Sequence, residues 1–260
     1  MRTLYIIKTG CTFPAIAEKI GDFETWIAKG LATKDLLPAE RPAIAVINAC
    51  DNAHGPLGFP APESCAGVVI SGSHDMVTDD APWMQDLGQW LHQVCHAGVP
   101  VLGICFGHQM LAQVLGGQVG IHPAGLELGT VPVAVQADVS QDPLWKHMPA
   151  CFEAQVVHYQ SVRRLPQGAC VIAGNSHEPH QAFRWRDNVW GVQFHPEFSQ
   201  EAMQGYIDHV VHDLQKHGAQ CLPARNLRCE ASDASAQLLY HFALHARQYA
   251  INTRAWRQAA

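Results

Sequence analysis

Short apolar runs alternate with amphipathic stretches along the first hundred residues of the chain. The runs are short enough to be β-strands, and their continuous apolar character is typical of strands buried on both faces of a parallel sheet. We predict four such strands, at residues 4–8, 43–48, 67–71 and 99–104. Helices must then cover the sheet.

The stretches between these runs have helical spacing and predict helices at 15–29, 83–96 and 106–115. In the second, one face collects Trp83, Leu87, Trp90, Leu91 and Val94, which we expect to pack into the core. The third ends at a Gly-Gly pair, and a glycine in the left-handed backbone conformation commonly ends a helix. Strand and helix alternate throughout, which predicts an α/β fold: a mostly parallel, twisted sheet with helices on both faces.

Beyond residue 117 the pattern changes to valine-rich strands bounded by Pro, Gly and Asn, at 125–135, 152–162, 169–174, 181–185 and 189–194. They should extend or flank the sheet. A helix over 199–216 follows, capped by Ser199 and with Glu201 in its first turn. The tail holds another amphipathic helix over about 231–257. We predict a main domain at 1–216 and a helical extension at 217–260 that packs on it, with an oligomer contact as the alternative role.

Cys105 follows the apolar run 99–104 and precedes a helix-forming stretch, with Gly103 and Gly107 two residues away on either side. This spacing is typical of a nucleophile elbow, in which glycines keep Cβ atoms out of a sharp strand-to-helix turn. A cysteine at a helix N-terminus is also favoured as the reactive thiolate. The pattern predicts a nucleophilic cysteine.

A base for this thiol is indicated about ninety residues further on, in the sequence His195-Pro196-Glu197. Val192 and Phe194 should alternate into the core, so that His195 emerges at the end of a strand. Pro196 then stops the strand and makes the turn rigid. The Glu197 carboxylate can accept the other imidazole N–H, which completes a Cys-His-Glu triad.

The segments 103–109 and 191–197 together resemble the class I (triad-type) glutamine amidotransferases, above all the glutaminase domain of GMP synthetase and its free-standing relatives. The resemblance runs from about residue 4 to about 207 and implies a flavodoxin-like fold. It implies that the cysteine attacks the side-chain amide of glutamine, forms a γ-glutamyl thioester and releases ammonia before water yields glutamate. By this resemblance Cys105 is the nucleophile, His195 the base and then the acid, and Glu197 the residue that orients His195.

An oxyanion hole needs two backbone amides aimed at the developing charge. The start of the helix after Cys105 supplies the amide of Phe106. The second donor should be the amide of Gly72 or Ser73, in a loop that resembles the family's Ser-Gly-Gly-Pro loop. Ser73 and His74 stand where that loop usually has Gly and Pro, which leaves the backbone conformation at Ser73 open.

Glutamine binding is carried over by the resemblance to Gln109 and to the loop residues His158, Tyr159 and Gln160. This loop resembles the family's His-x-Asp-x-Val stretch, which reads the amino-acid head of the substrate largely through backbone groups. Gln160 replaces the acidic residue, so the identity of the substrate is less closely specified than the mechanism.

Composition excludes several other functions. The 260 residues are 48% apolar and carry a net charge of −6, which disfavours nucleic acid or an anionic membrane as partner. No leader or membrane-spanning run is found, so we expect a cytoplasmic enzyme. The sixteen histidines suggest no metal or cofactor, because Pro179 prevents a helical pair in the densest cluster, at 177–180. Four of the nine cysteines should be small core residues: Cys50, Cys65, Cys95 and Cys170.

Three functions remain open. The first is glutamine hydrolysis that delivers ammonia to a separate synthase, since the chain has neither a Walker A loop nor a Ser-Gly-Gly-x-Asp-Ser loop. The second is a free-standing hydrolase of γ-glutamyl amides or peptides. The third is a non-catalytic binding module, which the intact triad disfavours. We predict a cysteine-dependent amidohydrolase acting on glutamine.

Overall fold

The computed structural model describes residues 2–33, 35–37, 40–50, 58–216 and 227–259. Within these ranges the strands are β1 (Thr3–Lys8), β2 (Ala43–Asn48), β3 (Cys65–Ile70), β4 (Val101–Ile104), β5 (Gln118–Ile121), β6 (Glu127–Val135), β7 (Cys151–His158), β8 (Gln160–Arg164), β9 (Ala169–Gly174), β10 (Ala182–Trp185) and β11 (Val189–Val192). The α-helices are α1 (Pro14–Ile20), α2 (Phe23–Gly30), α3 (Pro82–His96), α4 (Phe106–Val114), α5 (Gln200–Lys216) and α6 (Asp233–Ala259).

Nine strands form the main sheet, in the order β2-β1-β3-β4-β11-β10-β9-β6-β7. The first five are parallel to one another, and the remaining pairings are antiparallel. It follows that only β10 and β6 run against the other seven. The predicted mostly parallel sheet is therefore confirmed, with β5 and β8 forming a separate two-stranded sheet.

Helices cover both faces of the sheet, as the continuous apolar strands require. Along β3 and β4, Val69 and Leu102 belong to one buried cluster, whereas Val68 and Val101 belong to another. The first cluster packs against α2 and α6, and the second against α3 and α4. Both faces of these strands are therefore buried, which explains why their sequences are continuously apolar and do not alternate between apolar and polar residues.

The helix α6 contributes to the main core. Leu238, Leu239 and Phe242 are at most 1% exposed and share a cluster with Leu4 of β1. The helix before it begins as predicted, because Ser199 Oγ accepts a hydrogen bond from the Ala202 amide at 3.1 Å. Residues 217–226, where we place the boundary of the extension, lie outside the described residues.

The predicted helix 15–29 is wrong as a single element and is divided into α1 and α2. Gly21 has a φ of 86°, which ends α1. Asp22 then caps α2, since its carboxylate accepts from the Phe23 amide at 2.8 Å. Helical spacing runs through both pieces, so the periodicity alone could not reveal the break.

The predicted strand 152–162 is also wrong as a single element. The chain leaves β7 at His158 and enters β8 at Gln160, so Tyr159 stands at a turn between two sheets. β8 pairs with β5, a strand that was not predicted. This turn carries the loop to which substrate binding was assigned.

Two burial predictions are corrected. β2 is an exposed edge strand, with Ile44 37% and Val46 48% exposed, because β1 pairs with it on one side only. Cys170 is exposed and Cys50 half-buried, whereas Cys65 and Cys95 are buried as expected. Apolar composition does not distinguish an edge strand from a central one.

Candidate active site

Cys105 lies in the sharp turn between β4 and α4. Its φ of 50° and ψ of −101° are unusual for a residue with a side chain. A Cβ on Gly103 would stand 2.4 Å from the Gly107 carbonyl oxygen, and a Cβ on Gly107 would stand 2.6 Å from that of Ile70. Both glycines therefore allow the helix to start directly against the strands, so that the thiol projects from the sheet edge.

His195 is held from several sides after β11 ends. Its amide donates to the Gln155 carbonyl at 2.8 Å, and its ring stacks on Phe198 with the ring centroids 4.1 Å apart. Its Nδ1 donates to Glu197 Oε1 at 2.8 Å, and both side chains are at most 3% exposed. The ring orientation is thereby fixed, and Nε2 is the nitrogen left for the thiol.

The charge state of His195 depends on this pairing. Burial alone would lower its pKa, but the Glu197 carboxylate and then the Cys105 sulfur raise the pKa to about 10. His195 Nε2 is buried without a hydrogen-bond partner, while the thiol of Cys105 donates to the Val157 carbonyl at 3.8 Å. The positive charge of His195 is therefore maintained mainly by Glu197.

Gly72 and Ser73 lie on the other side of the thiol. A Cβ on Gly72 would stand 3.0 Å from His195 Cε1 and 3.9 Å from Cys105 Cβ, so only glycine leaves room for the imidazole. The Gly72 carbonyl accepts from Ser71 Oγ at 2.9 Å and lies 3.1 Å from Thr9 Oγ1. In a planar trans peptide the N–H points opposite to the carbonyl. The Ser73 amide therefore points away from Thr9.

The conformation at Ser73 is ordinary. Among the described residues, positive φ at a non-glycine occurs at Asp80, Cys105 and Arg186. Ser73 is not one of them, so its backbone does not need the left-handed conformation that favours glycine. The Phe106 amide stands in the first turn of α4, where backbone N–H groups have no partner within the helix. Ser73 and Phe106 line the same cavity as Cys105, so their amides are the candidate donors of the predicted oxyanion hole.

A cavity of about 280 Å³ opens at Cys105, close to the lower end of the usual range for small-molecule sites, about 300 Å³. Eight predicted site residues line it: Ser73, Cys105, Phe106, Gln109, His158, Tyr159, Gln160 and His195. The remaining two, Gly72 and Glu197, contact the His195 ring. The structure therefore brings the ten predicted residues together.

Gln109 is less free than the resemblance suggests. Its Nε2 donates to the Gln160 carbonyl at 2.8 Å and to Gln193 Oε1 at 3.0 Å, so Oε1 is the atom left to face a ligand. The Gln160 side chain is turned away as well, because its Nε2 donates to Thr78 Oγ1 at 2.6 Å. Both glutamine side chains are therefore held by hydrogen bonds within the protein.

A second buried His-Glu pair supports this loop and was not predicted. His158 Nδ1 donates to the Gln160 carbonyl at 3.0 Å, and Nε2 lies 2.8 Å from Glu127 Oε2. Glu127 also accepts from Gln181 and Asn175. Burial would raise the pKa of Glu127, but the His158 hydrogen bond overcomes it and lowers the pKa. An ionised Glu127 can accept from His158, Gln181 and Asn175 together, which satisfies the donors that face it.

Aromatic side chains also line the cavity, and these too were missed. Phe13, Phe23, His74 and Tyr206 all line it. Phe13 stacks on His74 with the ring centroids 4.4 Å apart and lies 5.0 Å from Tyr206. These residues come from α2, from α5 and from the loops that follow β1 and β3, so that nothing in the local sequence connects them.

Two further features were searched for in the described part of the chain: a metal site and a membrane-spanning helix. No group of three or more His, Cys, Asp or Glu residues there is arranged to hold a metal ion. No helix there is both long and apolar enough to cross a membrane.

Comparison with known proteins identifies the family to which this site belongs. The family model described as "Glutamine amidotransferase class-I" matches residues 48–213, more than half of the 260 residues. The chain belongs to this family. The matched range includes the elbow at Cys105 and the segment from His195 to Glu197.

Two kinds of amidotransferase-family relative are similar in sequence. The chain is 39% identical over 141 residues to the glutamine-hydrolyzing GMP synthase of Aeropyrum pernix, a match that covers 54% of this chain and 26% of the synthase. It is 30% identical over 151 residues to gamma-glutamyl peptidase 4 of Arabidopsis thaliana, covering 57% of this chain and 60% of the peptidase. The chain therefore matches about a quarter of the synthase and three fifths of the peptidase.

Solved structures extend the likeness to almost the whole chain. A glutamine amidotransferase from Methylobacillus flagellatus has a TM-score of 0.70 at 24% identity. The match covers 97% of this chain and 95% of that protein. A second, from Thermotoga maritima, has a TM-score of 0.66 at 20% identity, and the match covers 95% of this chain and 97% of that protein. At these identities the likeness shows the amidotransferase fold.

Proposed function

We propose that the chain hydrolyses a γ-glutamyl amide through a thioester on Cys105, with glutamine as the reference substrate. The observation that carries this proposal is the arrangement of Cys105 in a strained elbow beside a His195 ring fixed by Glu197 at 2.8 Å. Family membership supports it, because the similar relatives are named for glutamine hydrolysis and for γ-glutamyl peptide cleavage.

The first half of the proposed reaction forms the thioester. The proton of the Cys105 thiol passes to His195 Nε2, which makes the ring an imidazolium, and the Cys105 thiolate so formed attacks the δ-carbonyl carbon of the substrate. The Ser73 and Phe106 amides donate to the resulting oxyanion. The carbonyl then re-forms, the C–N bond breaks, and His195 gives its proton to the departing nitrogen. Ammonia leaves from glutamine, or an amine from a larger amide.

The second half uses the same groups in reverse. Water loses a proton to His195 Nε2 and attacks the thioester carbon, so that glutamate leaves and the sulfur regains a proton from His195. Glu197 stays ionised and holds Nδ1 throughout. The amino-acid head of the substrate lies on the side of Gln109 and the loop at 158–160, where Gln109 Oε1 and backbone groups receive it.

A second candidate is the hydrolysis of γ-glutamyl peptides. The likeness to a plant gamma-glutamyl peptidase, 30% identical over 151 residues, supports it. If glutamine is the substrate instead, we propose that a separate synthase subunit receives the ammonia. Homo-oligomerisation remains a further proposal, to be tested by the mass of the protein in solution.

The test is steady-state glutamate release from glutamine and from γ-glutamyl dipeptides, comparing the purified protein with the Cys105→Ala variant. We expect turnover that is lost in the variant. Faster release from dipeptides would favour the peptidase candidate. A Cys105→Ala variant as active as the wild type would overturn the proposed mechanism.

A further inference from the structure

The two ends of the cavity differ in chemistry, and the mechanism assigns a different part of the substrate to each. The departing nitrogen must face His195, which protonates it, whereas the glutamyl head must lie toward Gln109 and Gln160. The His195 ring lies 6.4 Å from the Phe23 ring, and Phe23 is equally 6.4 Å from His74. The aromatic wall therefore stands on the leaving-group side of the Cys105 sulfur.

This wall is held in place before any substrate arrives. One carboxylate, Asp22, accepts from the amides of Thr12 at 2.7 Å and Phe23 at 2.8 Å, and it also binds Lys8 at 2.7 Å. Phe13 directly follows Thr12, so the same group fixes two of the rings. Rigid aromatic surfaces bind with little loss of side-chain freedom, which makes the wall a preorganised surface.

Polar contacts tie the remaining two rings together. His74 Nε2 lies 3.1 Å from the Tyr206 hydroxyl, which accepts from Thr12 Oγ1 at 3.1 Å. The Tyr206 hydroxyl therefore links the His74 ring to Thr12. His74 stands at the loop position where relatives often have Pro, and through it the loop after β3 presents a ring to the cavity. Ammonia would gain nothing from such a surface.

Charge restricts the leaving group further. The described lining includes the Asp75 carboxylate, next to His74 in the sequence, but no Lys or Arg. An amino acid leaving from a γ-glutamyl peptide carries its own carboxylate, which would find no Lys or Arg side chain in this lining to bind. An uncharged aromatic group meets the opposite situation, because it can stack on Phe13 and His74.

We propose that the aromatic wall is a subsite for an aromatic amine without a carboxylate. The preferred substrates are then γ-glutamyl amides of arylalkyl amines, cleaved to glutamate and the free amine by the steps given above. This inference rests on the proposed function and narrows its substrate class. It separates the chain both from glutaminases, which release ammonia, and from peptidases, which release amino acids.

The test compares kcat/KM for three substrates: γ-glutamyl phenethylamide, glutamine and γ-glutamyl-phenylalanine. We expect the phenethylamide to exceed each of the others by about 10-fold or more, the usual discrimination of an apolar pocket. Phe13→Ala should reduce this preference by about 10-fold. The matched control is Phe59→Ala, which removes a half-buried ring that stacks on Trp90 at 4.8 Å and should leave the preference unchanged.

A second variant guards against misfolding of Phe13→Ala. His74→Ala alters an exposed loop side chain and should lower the same preference. Preference for glutamine or for the dipeptide, or a preference that neither variant changes, would overturn the subsite alone, provided that glutamine still acylates Cys105. If none of the three substrates acylates Cys105, the proposed function fails, and the subsite fails with it.

Discussion

The substitution Glu197→Gln removes one charge from the site while keeping its shape. Glu197 Oε1 accepts the Nδ1 proton of His195 at 2.8 Å, and a glutamine oxygen can accept the same bond. The carboxylate is the largest of the influences that raise the pKa of His195 to about 10 against the opposing effect of burial. Without it, burial dominates and the ring should be neutral at pH 7. By analogy with triad acids elsewhere, kcat should fall about 10³- to 10⁴-fold.

The assay is glutamate release between pH 6 and 10, together with the rate at which iodoacetamide alkylates Cys105. We expect slower alkylation at pH 7 in the variant, because a neutral His195 stabilises the thiolate less. Glu178→Gln is the matched control: Glu178 is also fully buried, but it accepts from the His180 amide at 2.8 Å and does not line the cavity.

The free energy of unfolding, measured over the same pH range, should also change with pH. A histidine whose folded pKa is raised stabilises the fold fully below about pH 6.5, and this contribution is lost as pH rises through about 10. The wild type should therefore lose unfolding free energy across that window more steeply than Glu197→Gln. A variant with kcat within about tenfold of the wild type and the same alkylation and stability profiles would refute the assigned role of Glu197.

Three further predictions test the surroundings of the triad. Gly103→Ala places a Cβ 2.4 Å from the Gly107 oxygen, so thermal unfolding should show a loss of about 1–3 kcal/mol, with little activity left; wild-type stability would contradict the elbow packing. Thr9→Val removes the hydroxyl 3.1 Å from the Gly72 carbonyl and should lower kcat about tenfold with KM almost unchanged; an unaltered kcat would argue against the oxyanion hole at Ser73. Phe242→Ala in α6, fully buried, should cost about 3–5 kcal/mol in denaturant unfolding, whereas a near-zero cost would mean that the extension is dispensable.

The parts of the site that could be predicted from sequence are those encoded within a few neighbouring residues. The bend at Cys105 needs small residues two positions away, and Gly103 and Gly107 are visible in any window of seven residues. The turn at Pro196 fixes the spacing of His195 and Glu197 in the same way. Local rules of this kind place a side chain at the end of a strand, and parallel strands bring such ends together.

The parts that were missed depend on contacts between distant segments. Glu127 contacts His158, which lies 31 positions further along the chain. Phe13 contacts Tyr206, which belongs to a segment far from it in the sequence. Neither stands in a recognisable local motif, since a glutamate at a strand start and a phenylalanine before a proline are ordinary. The break between α1 and α2 was missed for a different reason: Gly21 and the Asp22 cap on Phe23 are local signals, but the helical spacing continues across them.

The most direct test of the central claim is the covalent state of Cys105 during turnover. Protein mixed with a γ-glutamyl amide and quenched in acid within one turnover should carry one γ-glutamyl group, and mass spectrometry of the digested protein should place it on the peptide that contains Cys105. The Cys105→Ala variant should carry none. Glutamate release with no adduct on that peptide, or with the adduct on another cysteine, would contradict the account.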